Sequence, residues 1–211
     1  EECNTFRVDI GGVYRYHKQA EGGDKSSGQK TIYKKEMTRI FLIGYMGAGK
    51  TTLGRALAKE LDIQFIDLDS YIEKRLCKSV SQIFAENGEE GFRDIERRIL
   101  HEVGDFENVV ISTGGGTPCF FDNIEYMNRQ GATVFLDVPV ERLFIRLKIA
   151  RKKRPLIMEK NDDELRDFIT EQLAKRMPYY SKAGQKFIAD QLEDVKQIEA
   201  SVKNFIQQIE L

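Results

Sequence analysis

The chain has few of the residues that metal centres and disulfide scaffolds require. Cysteine occurs three times in 211 residues, at Cys3, Cys77 and Cys119, and no two cysteines have the C-x-x-C spacing of a zinc site. Histidine occurs at His17 and His101, and we expect a general base at neither position. The sequence therefore indicates neither a disulfide framework nor a zinc site, and we expect a protein of the reducing cytoplasm.

Long apolar runs and an excess of charge are also missing. No segment approaches the roughly 18 consecutive apolar residues that span a bilayer, and none resembles the h-region of a signal peptide. Lysine plus arginine (33) nearly balance aspartate plus glutamate (34), so the net charge of −1 predicts no nucleic-acid or membrane partner. Because 41% of the residues are hydrophobic, the chain can bury a substantial core, and we expect a soluble monomer.

The first 36 residues differ from the remainder. Glycine pairs at 11–12 and 22–23 and the run Ser26-Ser27-Gly28 interrupt every helical or strand period. We therefore expect residues 1–36 to form a flexible extension and residues 37–211 to form one folded domain. The extension carries acids as well as bases, which argues against a transit peptide. It is either a segment outside the functional unit, which would begin near Met37, or a regulatory or docking arm.

After Thr38, short apolar runs alternate with segments of helical spacing. This alternation predicts an α/β fold of three layers, in which helices cover both faces of a five-stranded parallel sheet. Tyr179 and Tyr180 are expected to anchor the last helices by burial. The predicted strands are 39–43, 64–67, 109–112, 133–137 and 187–189, and helical segments include 52–61, 140–150 and 162–177.

One motif indicates a nucleotide site. Residues 44–51 read GYMGAGKT, a complete G-x-x-x-x-G-K-T phosphate-binding loop between a predicted strand and a helical segment. In such a loop backbone N–H groups surround a polyphosphate, and the helix N-terminus adds its dipole. Lys50 can neutralise the terminal phosphates, and Thr51 can ligate a magnesium ion. The predicted nucleotide-binding residues of this segment are Gly47, Ala48, Gly49, Lys50, Thr51 and Thr52.

Two carboxylates, Asp67 and Asp69, follow the second predicted strand, at the edge where open parallel sheets bind ligands. Strand alternation would turn both to one side and Leu68 to the other. Carboxylates so close repel each other unless a cation or hydroxyl donors lie between them, as in a magnesium–substrate site. The alternative for Asp69 is an N-cap role in the following helix. Because the strand 109–112 ends without an acid, Asp67 is the predicted metal-binding carboxylate.

Three consecutive glycines, Gly114, Gly115 and Gly116, follow the strand 109–112 at the same edge. Glycines have no side chain, so a ligand could approach the main chain closely and bond its N–H and C=O groups. The alternative is a tight turn ahead of Pro118. The residues alone leave both interpretations open.

A basic run, Arg151 to Pro155, lies between the helical segments 140–150 and 162–177. It could be an exposed charged segment, a nucleic-acid patch or, in a nucleoside-triphosphate enzyme, a lid over the phosphates. A lid would stabilise charge in the transition state and exclude water, which prevents wasteful hydrolysis of ATP. We favour a mobile lid at about residues 147–160.

Together these residues resemble the shikimate kinases, which are P-loop kinases of the nucleoside-monophosphate-kinase-like type. The resemblance covers nearly everything from Thr38 to the end of the chain. It implies transfer of the γ-phosphoryl group of ATP to the 3-hydroxyl of shikimate, with Mg²⁺ as cofactor. The motifs that carry it are GYMGAGKT at 44–51, DLD at 67–69, GFR at 91–93 with Glu96, GGG at 114–116, RPL at 154–156 and RMPYY at 176–180.

The resemblance also implies how ATP is held. Lys50 and the loop amides would bind the β- and γ-phosphates. Thr51 would bind Mg²⁺ directly, and Asp67 would support the ion through water. Arg154 would close over the phosphates with the lid as a catalytic residue, and Arg146 would pack on adenine.

For the acceptor, the resemblance implies that Asp69 contacts the shikimate hydroxyls and accepts the proton of the attacking one. Arg93 and Arg176 would bind the substrate carboxylate, which the planar fork of arginine suits better than lysine does. Gly114, Gly115 and Gly116 would line the same pocket.

Two other functions are consistent with the phosphate loop. A gluconate-type or nucleoside-monophosphate kinase has the same loop, and Asp69, Arg93 and the glycine triplet make the distinction. A nucleotide-dependent switch would bind ATP and turn it over slowly whatever small acid is added. Strong stimulation of ADP release by shikimate would exclude the switch.

Overall fold

The computed structural model describes residues 38–151 and 157–209, and five parallel strands form one sheet within them. The predicted α/β fold is confirmed. Three strands have the predicted bounds, the fourth begins one residue earlier, and the fifth begins two residues earlier and ends one earlier. The strands are β1 (Arg39–Ile43), β2 (Gln64–Asp67), β3 (Val109–Ser112), β4 (Ala132–Asp137) and β5 (Gln185–Ile188).

The sheet has the order β2-β3-β1-β4-β5, which places β1 in the middle. Leu42 of β1 is level with Ser112 of β3 on one side and with Val134 of β4 on the other. All four residues of β3 are buried, as expected for a central strand covered on both faces. The edge strand β5 is less covered, and Ile188 at its end is 63% exposed.

The described residues contain seven α-helices and a short 3₁₀ helix at Thr117–Cys119. With this strand order, the rule that crossovers between parallel strands are right-handed assigns the first helix to one face of the sheet and the next five to the other. The last helix packs against the first, which completes the three layers. The helices are α1 (Lys50–Glu60), α2 (Leu68–Leu76), α3 (Val80–Gly104), α4 (Asn123–Gln130), α5 (Val140–Ala150), α6 (Asp162–Tyr180) and α7 (Val195–Ile209).

Helix α3 is two helices joined at a bend. Gly88 within it has a φ of 68°, a left-handed conformation that glycine adopts without steric cost. A capping box at Ser79 and Gln82 begins the first part. In the second part Phe92 and Ile99 are buried against the core, and this packing fixes the direction in which the helix presents its polar residues.

The topology creates a crevice at the carboxyl edge of the sheet. From β1 the chain first builds β2 and β3 on one side and then crosses to β4 and β5 on the other. Such a reversal opens a ligand crevice beside the central strand. None of the described helices is long and apolar enough to cross a membrane.

Candidate active site

A cleft of about 610 Å³ opens at this edge of the sheet, and three segments of the sequence meet there with residues of α5 and of the loop after β5. The phosphate loop forms one wall, the start of α2 forms a second, and the loop after β3 forms a third. The predicted site residues that line the cleft are Gly47, Gly49, Lys50, Thr51, Thr52, Asp67, Asp69, Gly114, Gly115 and Arg146.

The loop between β1 and α1 has the conformation that its glycines predict. Gly47 and Gly49 have φ values of 81° and 93°, which side-chain-bearing residues rarely adopt. Lys50 is the first residue of α1, and its ammonium donates hydrogen bonds to the carbonyls of Gly44 at 2.8 Å and Tyr45 at 3.1 Å. The buried cation therefore lies over the loop that bears it and lines the cleft.

Thr51 and Asp67, the two predicted metal ligands, are adjacent. The Thr51 hydroxyl donates to Oδ2 of Asp67 at 2.8 Å, and Oδ1 of Asp67 accepts from the backbone N–H of Ser70 at 3.2 Å. The described residues contain no group of three or more His, Cys, Asp or Glu that could hold a metal ion. A cation here would therefore take the Thr51 hydroxyl as a direct ligand and Asp67 through water, with its other oxygens from phosphates and water, as Mg²⁺ commonly does.

Asp67 caps α2, so the alternative of an N-cap role for Asp69 is wrong. The strand argument is also wrong, because β2 ends at Asp67 and Leu68 already belongs to the helix. Asp69 lies in the first turn of α2. Water reaches Asp69 in the open cleft, yet desolvation by the surrounding protein, with repulsion from Glu96 and Asp67, raises its pKa to about 6; Lys50 lowers it.

Arg93 is held in place by an acid and an aromatic ring. Its Nη1 donates to Glu96 at 2.9 Å, and the guanidinium carbon lies 4.0 Å from the centre of the Phe120 ring. Its Nε is buried without a hydrogen-bond partner in the described part of the chain. A buried donor without a partner is costly, so this nitrogen suits an acceptor supplied by a ligand.

Glu96 was part of the sequence motif but received no predicted role. It is 1% exposed, and besides Arg93 it accepts a hydrogen bond from the Thr117 hydroxyl at 2.5 Å. The sequence did indicate that Glu96 is buried, since it lies in the apolar stripe of α3, four residues after Phe92 and three before Ile99. An acid at such a position needs a buried partner.

The glycine triplet at 114–116 does begin a turn ahead of Pro118, since the Thr117 N–H donates to the Gly114 carbonyl at 3.2 Å. None of the three glycines has a positive φ, so what the triplet provides is space. A Cβ on Gly114 would lie 3.2 Å from Oδ1 of Asp69. A Cβ on the next glycine would lie 3.1 Å from Nη1 of Arg176, and one on the last would lie 2.9 Å from Nη2 of Arg93. Each glycine therefore faces a different residue that was predicted to bind the acceptor.

The two tyrosines at the end of α6 have different environments. Tyr180 is fully buried, as predicted, and its hydroxyl donates to the Gly115 carbonyl at 2.6 Å. Tyr179 is 36% exposed, so the prediction that it is buried was wrong. Arg176, one turn earlier, places its guanidinium 5.3 Å from the ring centre of Tyr45.

Arg146 connects the phosphate loop to the end of the sheet. Its Nη1 donates to the carbonyls of Gly47 at 3.3 Å and Ala189 at 3.2 Å, and its Nη2 pairs with Glu193 at 2.9 Å. The sequence did not predict these bonds. Arg154 and the rest of the segment 152–156, the middle of the predicted lid at about 147–160, lie outside the described residues, as does the extension 1–36. Of the remaining lid residues, 147–150 end α5 and Ile157 is fully buried.

Comparisons with known proteins agree on one family. The family model described as Shikimate kinase matches residues 46–210. A shikimate kinase of Phocaeicola vulgatus is 64% identical over 166 residues, which are 79% of this chain and 95% of the relative. The crystal structure of shikimate kinase from Bacteroides thetaiotaomicron has a TM-score of 0.78 at 58% identity, over 83% of this chain and 99% of the other. A shikimate kinase from Acinetobacter baumannii, solved in complex with shikimate, has a TM-score of 0.70 at 31% identity, covering 83% and 94%.

Proposed function

This chain belongs to the shikimate kinase family, and we propose that its cleft divides into a donor half that holds ATP and an acceptor half that holds shikimate. The enzyme phosphorylates shikimate with ATP, a reaction of aromatic amino acid biosynthesis. The assignment of roles to residues rests above all on one observation. The glycine triplet faces Asp69, Arg176 and Arg93 together, which groups a hydroxyl-binding carboxylate with two carboxylate-binding guanidiniums.

In the donor half, Lys50 and the loop N–H groups would bind the terminal phosphates. The ammonium already lies over the loop, where it can neutralise charge that develops on the transferring group. Thr51 and Asp67 fit a Mg²⁺ ion, because two oxygens stand 2.8 Å apart beside the loop. When bound, Mg²⁺ would offset phosphate charge.

In the acceptor half, Arg93 and Arg176 would bind the carboxylate of shikimate. The buried Nε of Arg93 has no partner among the described residues, and a substrate carboxylate would satisfy it. Glu96 and Phe120 restrict the guanidinium on two sides, so Arg93 would meet the substrate with little loss of side-chain freedom.

Asp69 would accept the proton of the attacking hydroxyl. Its pKa of about 6 leaves it ionised at neutral pH, and a base whose pKa lies near the working pH is well matched to proton transfer. The adjacent Gly114 lets the substrate approach both the carboxylate and the main chain. Asp69 would thus bind the reacting hydroxyl before transfer and hold its proton afterwards.

Three further assignments remain proposals. Arg146 would contact adenine from its position beside the loop, Arg154 would close with the lid at about 147–160, and Thr52 would contact the nucleotide. The cytoplasmic location, the monomeric state and the absence of nucleic-acid and membrane partners also stay predictions.

A coupled assay of ADP release tests the acceptor and the metal together. We expect release to depend on shikimate, to remain at background with gluconate or nucleoside monophosphates, and to stop when EDTA removes Mg²⁺ and resume when Mg²⁺ is restored. Equal rates with gluconate would contradict the acceptor assignment. Full activity in EDTA would contradict the assignment of a metal to Thr51 and Asp67.

A further inference from the structure

Tyr180 makes a single polar contact to the loop after β3, and this contact joins two elements of the acceptor half. It lies four residues after Arg176 on α6, so the two side chains share one face of the helix. Its ring stacks on Phe135 of β4 with the ring centres 5.0 Å apart, and its hydroxyl donates to the Gly115 carbonyl at 2.6 Å. A helix that carries an acceptor residue is therefore fastened to the glycine triplet.

At Gly115 the glycine triplet also lies against the phosphate loop. A Cβ on Gly115 would lie 3.3 Å from the backbone nitrogen of Met46 and 3.4 Å from the carbonyl of Gly44. The same Cβ would lie 3.1 Å from Nη1 of Arg176. The position of this one peptide unit thus relates the phosphate loop, the glycine triplet and α6.

We propose that Tyr180 is a positioning residue, whose hydroxyl fixes the Gly115 carbonyl and thereby sets where the acceptor lies relative to the phosphate loop. This inference rests on the proposed acceptor roles of Arg176 and the glycine triplet. Tyr180 itself touches neither substrate in this account.

The surroundings of Tyr180 suit this task. Burial raises the pKa of its phenol far above the ordinary value, although Arg176 lowers it, so the hydroxyl keeps its proton and donates at any working pH. The side chain is 0% exposed and packed on an aromatic ring, so its direction is fixed. The adjacent Tyr179 is 36% exposed, so its side chain is not fixed by burial in the same way.

The test is Tyr180→Phe, which removes the hydroxyl and keeps the ring, compared with the matched control Tyr126→Phe. Tyr126 is 6% exposed, and its hydroxyl donates to the backbone carbonyl of His101 at 3.2 Å, outside the residues that line the cleft. Both variants lose one tyrosine-to-carbonyl hydrogen bond, and Tyr180→Phe also loses the hydrogen bond between its hydroxyl and Arg176, so we expect a small loss of thermal stability in both and the larger one in Tyr180→Phe.

We expect Tyr180→Phe to lower kcat/KM for shikimate about five- to tenfold and to leave KM for ATP within about twofold. Tyr126→Phe should leave both constants unchanged. A merely structural role for Tyr180 predicts the same kinetics for the two variants, and that result would overturn the proposal. Assays run at a temperature where circular dichroism shows both variants folded.

Arg176→Ala separates this inference from the acceptor roles on which it rests. If Arg176→Ala raises KM for shikimate while Tyr180→Phe has normal kinetics, the positioning role alone is refuted. If Arg176→Ala leaves KM for shikimate unchanged, the acceptor assignment fails first, and the positioning role fails with it.

Discussion

The donor half of the cleft is local in sequence, whereas the acceptor half is assembled from distant elements. Lys50 bonds carbonyls only five and six residues before it, and Asp67 is 16 residues from Thr51; Arg146, which reaches the Gly47 carbonyl across 99 residues, is the exception on this side. On the acceptor side Tyr180 reaches a carbonyl 65 residues away. Backbone conformation therefore builds the donor half, and the packing of helices against the sheet builds the acceptor half.

The two halves also differ in charge. In the donor half a buried cation is satisfied by backbone carbonyls. In the acceptor half two acids, Asp69 and Glu96, lie close to each other near two arginines, so the charges there depend on one another. Substitutions should accordingly alter turnover in the donor half and binding in the acceptor half, with Asp69 acting on both because it lies between them.

The largest effect is expected for Asp69→Asn, which tests the residue shared by both halves. Loss of a general base costs about a hundredfold to ten-thousandfold, so we expect a fall of that size in kcat. In the wild-type enzyme, kcat/KM for shikimate should rise with pH until about pH 6, where Asp69 becomes ionised. Asp94→Asn, which removes an exposed charge on α3, is the control and should keep both the rate and the pH profile.

Asp69→Asn should also be slightly more stable than the wild type at neutral pH. The folded-state pKa of about 6 lies above the ordinary 3.8, so the folded state disfavours the ionised carboxylate. That cost is present in full above about pH 6 and disappears as the pH falls below about 4. Because water reaches Asp69, the rise in Tm should be small. A lower Tm at neutral pH, or a gain that persists at low pH, would contradict this account.

Next in size is Lys50→Met, which addresses the donor half alone. Removing a preorganised cation from the transferring phosphoryl group should lower kcat about a hundredfold to a thousandfold. Binding of shikimate, followed by calorimetry, should change less than kcat, because the Lys50 ammonium lies on the carbonyls of its own loop and affects Asp69 through its charge, which lowers the pKa of that carboxyl. Lys59→Met, at the exposed end of the same helix, should behave as wild type. Near-normal kcat for Lys50→Met would contradict the proposal that Lys50 neutralises charge on the transferring phosphoryl group.

Arg93→Ala addresses the acceptor half alone and should have a smaller effect. Each charge-assisted hydrogen bond contributes about 1.5–3 kcal/mol, so KM for shikimate should rise roughly tenfold to a hundredfold. KM for ATP should stay near the wild-type value. Arg97→Ala is the matched control, since Arg97 lies one turn later on α3 and pairs with Asp122 on the surface. Equal increases in KM for shikimate and KM for ATP would contradict the division of the cleft into a donor half and an acceptor half.

The donor half of the site was easier to predict from the sequence than the acceptor half. The loop conformation and the bounds of the first three strands were predictable, because glycine backbone freedom and apolar runs act locally, whereas α1 begins two residues before the predicted position 52. The proximity of Asp67 and Asp69 was predicted for the wrong reason, since a helix begins where strand alternation was assumed. The position of both carboxylates at the carboxyl edge of the sheet was predicted, whereas the change from strand to helix between Asp67 and Leu68 was not.

Contacts between elements could not be predicted from the residues. The hydrogen bond from Tyr180 to Gly115 depends on where the end of α6 lies over the loop after β3, which no periodicity specifies. The bonds of Arg146 to Ala189 and Glu193 span 43 and 47 residues and depend on the same kind of packing. Arg93 and Arg176 were identified as a pair only through a family resemblance, since their separation carries no signal of its own.

The smallest effect is expected from deleting residues 1–36. The family model matches residues 46–210, and the relatives match about four fifths of this chain over nearly all of their own length. Both halves of the cleft lie among residues 44–193. We therefore expect kcat/KM for shikimate and for ATP to stay within about twofold of the full-length values, since the family match begins only at residue 46. A large loss of kcat/KM in the truncated enzyme, with Tm unchanged, would instead show that a third region acts on the cleft.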